Sequence, residues 1–156
     1  IEAGAEFIAI ADPSGTGEIL GPKLFEEYAL PALNRICEEL KPLCQGVIVH
    51  ICGQLRTIYP QLVKLKCSGL SVDAVVNIKE LRKALPDMVI IGNISTFALA
   101  GGNAAVIQNL CNSTIDSGVD VLAPACGLGT TSTVESISIM MKTAIARMEQ
   151  KEKADA

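Results

Sequence analysis

Five short apolar runs recur along the chain, each free of polar alternation and each followed by a helical pattern: Glu6 to Asp12, Val47 to Gly53, Gly69 to Val76, Met88 to Ile94 and Gly118 to Pro124. Short apolar strands without polar alternation, separated by helices, predict a parallel α/β sheet covered on both faces. A (β/α)8 TIM barrel takes about 250 residues. At 156 residues, five βα units amount to a partial barrel with three units missing. No Gly-x-Gly-x-x-Gly follows the first strand, so a dinucleotide fold has no motif behind it.

The helices between the runs carry their own signals. From Pro22 a helical pattern reaches Leu40, and Pro31 should kink or split it because it removes a backbone donor. A short helix spans Tyr59 to Lys66, with Pro60 in its first turn. Asn77 and Glu80 form a variant capping box for a helix over Ile78 to Leu85, and Ser132 with Glu135 forms one for the last helix. Asn103 to Asp116 is helical, with Gly118 as its stop. Residues Gln150 to Ala156 read as a solvated, polar helix end.

Composition narrows the function. Nearly half of the residues are apolar, 49%, enough for one domain with a substantial core. A net charge of −4 speaks against nucleic acid as a partner. No apolar run of about 18 residues is present, so no membrane span is expected. The opening Ile-Glu-Ala-Gly lacks a methionine and a secretory leader and looks cut from something longer. Six cysteines could form a disulfide framework, but a reducing, cytoplasmic setting with some thiols free and some on metal fits this helix-rich chain better. Cys37, Cys44, Cys67 and Cys111 read as apolar fillers, as do Met140 and Met141.

The second run holds the chemistry. In a strand, His50 and Cys52 share a face, with Cα atoms roughly 6.6 Å apart. Imidazole and thiolate together suit zinc. Cys126, in the small-residue turn Ala-Pro-Ala-Cys-Gly-Leu-Gly, is a third ligand from another strand end, and Asp73 could add an oxygen. Three protein ligands with one exchangeable position is the pattern of a working zinc. Asp12, His50, Cys52, Asp73, Asn93 and Cys126 all fall at or just past C-terminal strand ends, the edge where parallel α/β proteins build their sites. Asp12 either binds substrate or caps the turn from Ser14 to Gly17, and Asn93 either touches substrate or bonds backbone.

Asp-Pro-Ser-Gly (12 to 15), Val-His-Ile-Cys-Gly (49 to 53), Gly-Leu-Ser-Val-Asp (69 to 73), Ile-Gly-Asn-Ile-Ser-Thr (91 to 96) and Gly-Val-Asp-Val-Leu-Ala-Pro-Ala-Cys-Gly (118 to 127) occur together and in order. That set resembles the methylcobamide:coenzyme M methyltransferases of the uroporphyrinogen decarboxylase superfamily, over the C-terminal part of their barrel. The resemblance implies a zinc held by His50, Cys52 and Cys126. Asp73 stands where the family's longer acidic ligand belongs. It further implies a methylcobamide carried by a corrinoid partner protein, a thiol acceptor such as coenzyme M, and a role in methanogenesis. A zinc-bound thiolate would then attack the methyl group on cobalt(III) and leave cobalt(I). The glycines Gly101, Gly102, Gly127 and Gly129 would let the flat corrin approach. Competing readings are a homocysteine methyltransferase, a uroporphyrinogen decarboxylase-like enzyme, and a non-catalytic zinc-binding fragment. With three units missing, the open sheet edges invite a homodimer.

Overall fold

The computed structural model describes residues 1–155. Ala156, the last residue of the expected helix end, lies outside them. The strands are β1 (Phe7–Asp12), β2 (Gly46–Ile51), β3 (Gly69–Val72), β4 (Ile90–Ile94) and β5 (Val121–Pro124). They form one sheet in the order β1-β2-β3-β4-β5, and every neighbouring pair is parallel. Sequential order with helical crossovers is the arrangement of a barrel wall, not of a doubly wound sheet, whose order reverses.

The helices are α1 (Gly21–Leu24), α2 (Leu30–Leu40), α3 (Tyr59–Leu62), α4 (Ile78–Ala84), α5 (Thr96–Gly101), α6 (Ala104–Asp116) and α7 (Val134–Asp155). A π turn over Phe25–Ala29 joins α1 to α2, so Pro31 does not split the helix as expected. The Leu30 N–H reaches back to the Phe25 carbonyl. This widened turn sits just ahead of the proline and accommodates its missing donor. Asn77 caps α4 by accepting the Glu80 N–H at 3.2 Å, and Asn103 caps α6 by accepting the Val106 N–H at 3.1 Å.

Several boundaries differ from the sequence reading, each for a local reason. β3 stops at Val72 because Asp73 folds the chain into a turn, its side chain accepting the Val75 N–H at 3.2 Å. The helix expected to reach Lys66 ends at Leu62, and three-residue turns carry the chain onward. Thr133, not Ser132, caps α7: its Oγ1 accepts the Ser136 N–H at 3.1 Å. Met141 is 49% exposed, while Met140 is buried as expected. α5 went unread in the sequence. Ser95 caps it, accepting the Ala98 N–H at 3.3 Å, and Gly102 ends it in the left-handed region at φ 68°.

The sheet is covered on one face, not two. Val47, Val49, Ile51, Leu70, Val72 and Ile90 are buried with Phe25, Leu33, Leu55, Ile58, Leu62 and Leu81 from the outer layer. Ile94, Leu99, Ile107, Cys111 and Met140 form a second cluster beneath α6 and α7. The opposite, concave face carries Phe7, which is 56% exposed, and Val121, which is 47% exposed. In an eight-stranded barrel that face closes on itself; with five strands it stays open.

At the N-terminal edge of the sheet, Arg82 of α4 ties three segments together. It donates to the carbonyls of Gly118 (3.0 and 3.1 Å), Pro86 (3.0 Å) and Met88 (2.7 Å) and pairs with Asp120. The same Asp120 carboxylate accepts the Ile90 N–H at 2.7 Å. These bonds engage residues 86–88 and 118–120 just ahead of the strands, and β4 begins at Ile90 and β5 at Val121 rather than at Met88 and Gly118.

Cys67, half-buried before β3, has a pKa raised from 9.0 to about 11, chiefly by burial and secondarily by Cys37. The folded chain therefore keeps a proton that the unfolded chain releases near 9. Stability is unaffected below that pH and falls as pH rises toward about 11. Urea midpoints measured across this window should decline in the wild type and decline less in Cys67→Ala.

Candidate metal centre

His50 lies on β2 with its side chain on the concave face, and Cys52 follows one residue beyond the strand end. Apolar Val49 and Ile51 anchor the other face of the strand in the core, and that anchoring fixes the direction of His50. His50 Nε2 is 3.1 Å from Cys52 Sγ. Cys126 reaches the same point from the loop after β5, its Sγ 3.8 Å from that of Cys52. One ligand atom from each of the three lies within 4.8 Å of the others.

The spacing can be tested against zinc. Tetrahedral coordination with Zn–S of about 2.3 Å places two sulfurs roughly 3.8 Å apart, and with Zn–N of about 2.0 Å a nitrogen and a sulfur roughly 3.5 Å apart. The sulfur separation matches. The nitrogen–sulfur pair is shorter, as a hydrogen bond without metal would be. The donor set fits a thiophilic divalent ion with one position open to an incoming ligand.

Burial pushes the Cys52 thiol up to about 11, with the adjacent Cys126 and Asp73 adding to the effect. Cys52 is therefore a thiol at neutral pH in the metal-free chain, and loading a metal must release its proton.

Asp73 stands outside the cluster of three. Its Oδ2 accepts the Gly53 N–H at 3.1 Å, holding the turn that presents Cys52. Gly53 has φ 70°, and a Cβ there would stand 3.1 Å from Glu18 Oε2 and 3.3 Å from Thr16 Cγ2. Glycine suits both the backbone and the space.

Asp12 closes the turn after β1: its Oδ1 accepts from Ser14 N (3.1 Å), Ser14 Oγ (2.9 Å) and Gly15 N (2.9 Å). Asn93 is buried and its Nδ2 donates to the carbonyls of Asp73 and Val76, both at 2.9 Å. Among the described residues these bonds tie both side chains to backbone, the structural half of what each could do. Sequence reasoning missed Ser71, whose Oγ is 2.9 Å from His50 Nδ1. The signal was its place two residues before Asp73 on the strand beside His50.

Cys37 and Cys111 are fully buried fillers. Cys44 is half-buried, its Sγ 3.3 Å from the Leu40 carbonyl. Among the described residues no helix is long and apolar enough to cross a membrane.

These features define a part-barrel α/β protein with one imidazole and two thiols gathered at the C-terminal edge of its parallel sheet. A family model described as uroporphyrinogen decarboxylase (URO-D) matches residues 1–146, and the chain belongs to that family. It is 34% identical over 129 residues to Methylcobamide:CoM methyltransferase MtbA of Methanosarcina acetivorans, covering 82% of this chain and 38% of that protein. It is 30% identical over 144 residues to Methylcobamide:CoM methyltransferase MtaA of Methanosarcina barkeri, covering 90% of this chain and 42% of that protein. A solved methyltransferase from Methanosarcina mazei superposes with a TM-score of 0.83 at 27% identity, over 91% of this chain and 42% of that one. The chain thus spans about two fifths of the length of the curated relatives it matches.

Proposed function

We propose that the chain is the metal-holding, C-terminal part of a barrel that moves a methyl group from a methylated corrinoid protein to a thiol, with coenzyme M as the acceptor. The observation that carries this reading is the meeting of His50, Cys52 and Cys126, with one ligand atom from each within 4.8 Å of the others, in a chain similar to proteins named methylcobamide:CoM methyltransferases. His50, Cys52 and Cys126 would hold a zinc ion, and Asp73 would reach the open position directly or through a water.

A free thiol of pKa about 8.5 is only a few per cent thiolate at neutral pH, and the thiolate is the nucleophile. Zinc supplies the positive charge that keeps a bound acceptor thiol deprotonated. The side chains then need only hold and orient; none has to act as nucleophile. Asp12 keeps the loop after β1 in shape at the rim. Asn93 holds the turn after β3, and its Oδ1, which makes none of the hydrogen bonds found among the described residues, is the group it could offer to substrate. The reaction breaks one carbon–cobalt bond and forms one carbon–sulfur bond. A cytoplasmic setting and a corrinoid partner belong to the same proposal.

The test supplies the zinc-loaded chain with methylcobalamin and either coenzyme M or homocysteine, and follows methylated thiol by mass spectrometry. Methylated coenzyme M should form above the protein-free background and disappear on chelation. Transfer to homocysteine alone would move the proposal to the homocysteine enzymes. Zinc-independent loss of carbon dioxide from a porphyrinogen, without methyl transfer, would replace it.

A further inference from the structure

A neutral imidazole carries one N–H, so it can give a metal only the nitrogen that its surroundings leave bare. His50 sits directly opposite Ser71 in the β2–β3 register. Its Nδ1 is 2.9 Å from Ser71 Oγ, while Nε2 is 3.1 Å from Cys52 Sγ and faces the cluster. Both residues are half-buried, and Val49, Ile51, Leu70 and Val72, buried on the opposite face, fix the two strands that carry them. Histidine ligands to metals generally donate their second ring N–H to a partner that fixes tautomer and orientation.

We propose that Ser71 is the positioning residue of this centre: its hydroxyl oxygen accepts the Nδ1–H of His50 and so presents Nε2, as a bare lone pair, to the point shared with Cys52 and Cys126. What Nε2 then holds rests on the zinc reading above; the tautomer does not. Asp73 is occupied with the Gly53 and Val75 amides, which leaves the hydroxyl as the partner of Nδ1 among the described residues. Ser71→Ala removes that acceptor without adding bulk, and Ser71→Thr restores a hydroxyl on a strand that favours β-branched residues.

His50 is the single histidine of the chain, so its ring nitrogens can be read without assignment in a 15N-labelled sample. The zinc-free wild type, at a pH well above the usual imidazole value of about 6.5, should show the Nδ1–H tautomer. Ser71→Ala should shift toward Nε2–H, and Ser71→Thr should return to the wild-type pattern. Zinc affinity, measured by competition with a chromophoric chelator, should fall about 10- to 100-fold in Ser71→Ala and recover in Ser71→Thr. Unchanged amide spectra would show that Ser71→Ala still folds. An Nε2–H wild type, or equal zinc affinity in wild type and Ser71→Ala, overturns the assignment. An Nδ1–H wild type that binds no zinc overturns the zinc reading and leaves the role of Ser71 standing.

Discussion

Cys126→Ala is expected to leave the chain without bound zinc after dialysis, where the wild type retains one equivalent. Cys126 is one of the three side chains gathered at the proposed site and comes from a loop far in sequence from the other two. Structural zinc sites bind with apparent free energies of about 10–16 kcal/mol, so losing one of their four ligands removes about 3 kcal/mol or more. That corresponds to at least a hundredfold in affinity. Metal analysis beside a zinc competition assay measures it. Cys111→Ala, a change at a buried filler, is the control and should keep its zinc. Equal zinc in wild type and Cys126→Ala would mean that the three side chains meet without serving as ligands. Zinc affinity should also fall as the medium is acidified, because binding must displace the proton that Cys52 keeps in the metal-free chain.

Arg82→Ala should be the most damaging change away from the centre, at about 3 kcal/mol of folding stability. It strips partners from the carbonyls of Gly118, Pro86 and Met88 and, among the described residues, leaves the Asp120 carboxylate with the Ile90 amide alone. The Arg82 side chain is 25% exposed, so solvent replaces these bonds incompletely. Arg82→Lys should recover little, since an ammonium cannot span carbonyls on two segments as the planar fork does. Arg35→Ala breaks an exposed i,i+4 pair, with side chains 79% and 69% exposed, and should stay within about 0.5 kcal/mol. Urea denaturation of the three variants ranks them. A loss in Arg82→Ala no larger than in Arg35→Ala would show that the staple does not hold the sheet.

The sequence made the five strands legible because each is a short, mostly apolar run without polar alternation, and parallel order follows from the helices between them. The asparagine cap of α4 was legible because capping is local: Asn77 acts within three residues. α5 was missed because six residues carry too little periodicity, although Ser95 and Gly102 marked both ends. The choice of Thr133 over Ser132 turned on one residue of loop geometry. His50, Cys52 and Cys126 could be nominated together because strand ends in a parallel sheet share one edge, and the structure does bring them together. The tie of Asp73 to Gly53, the contact of Ser71 with His50 and the grip of Arg82 were not legible. Each joins residues 20 to 36 positions apart, and only the strand register settles which of them meet.

The strands at the two margins, β1 and β5, each have a neighbour on one side only. Such a sheet has a direction of growth: a further backbone added at either margin lengthens it without disturbing the pairs already made. Phe7 and Val121 stand at those two margins on the uncovered side, so each margin presents an apolar side chain to an incoming strand. Handling of this chain in solution should therefore be governed by concentration and shelf time, with a lysine placed outward on β1 as the simplest guard.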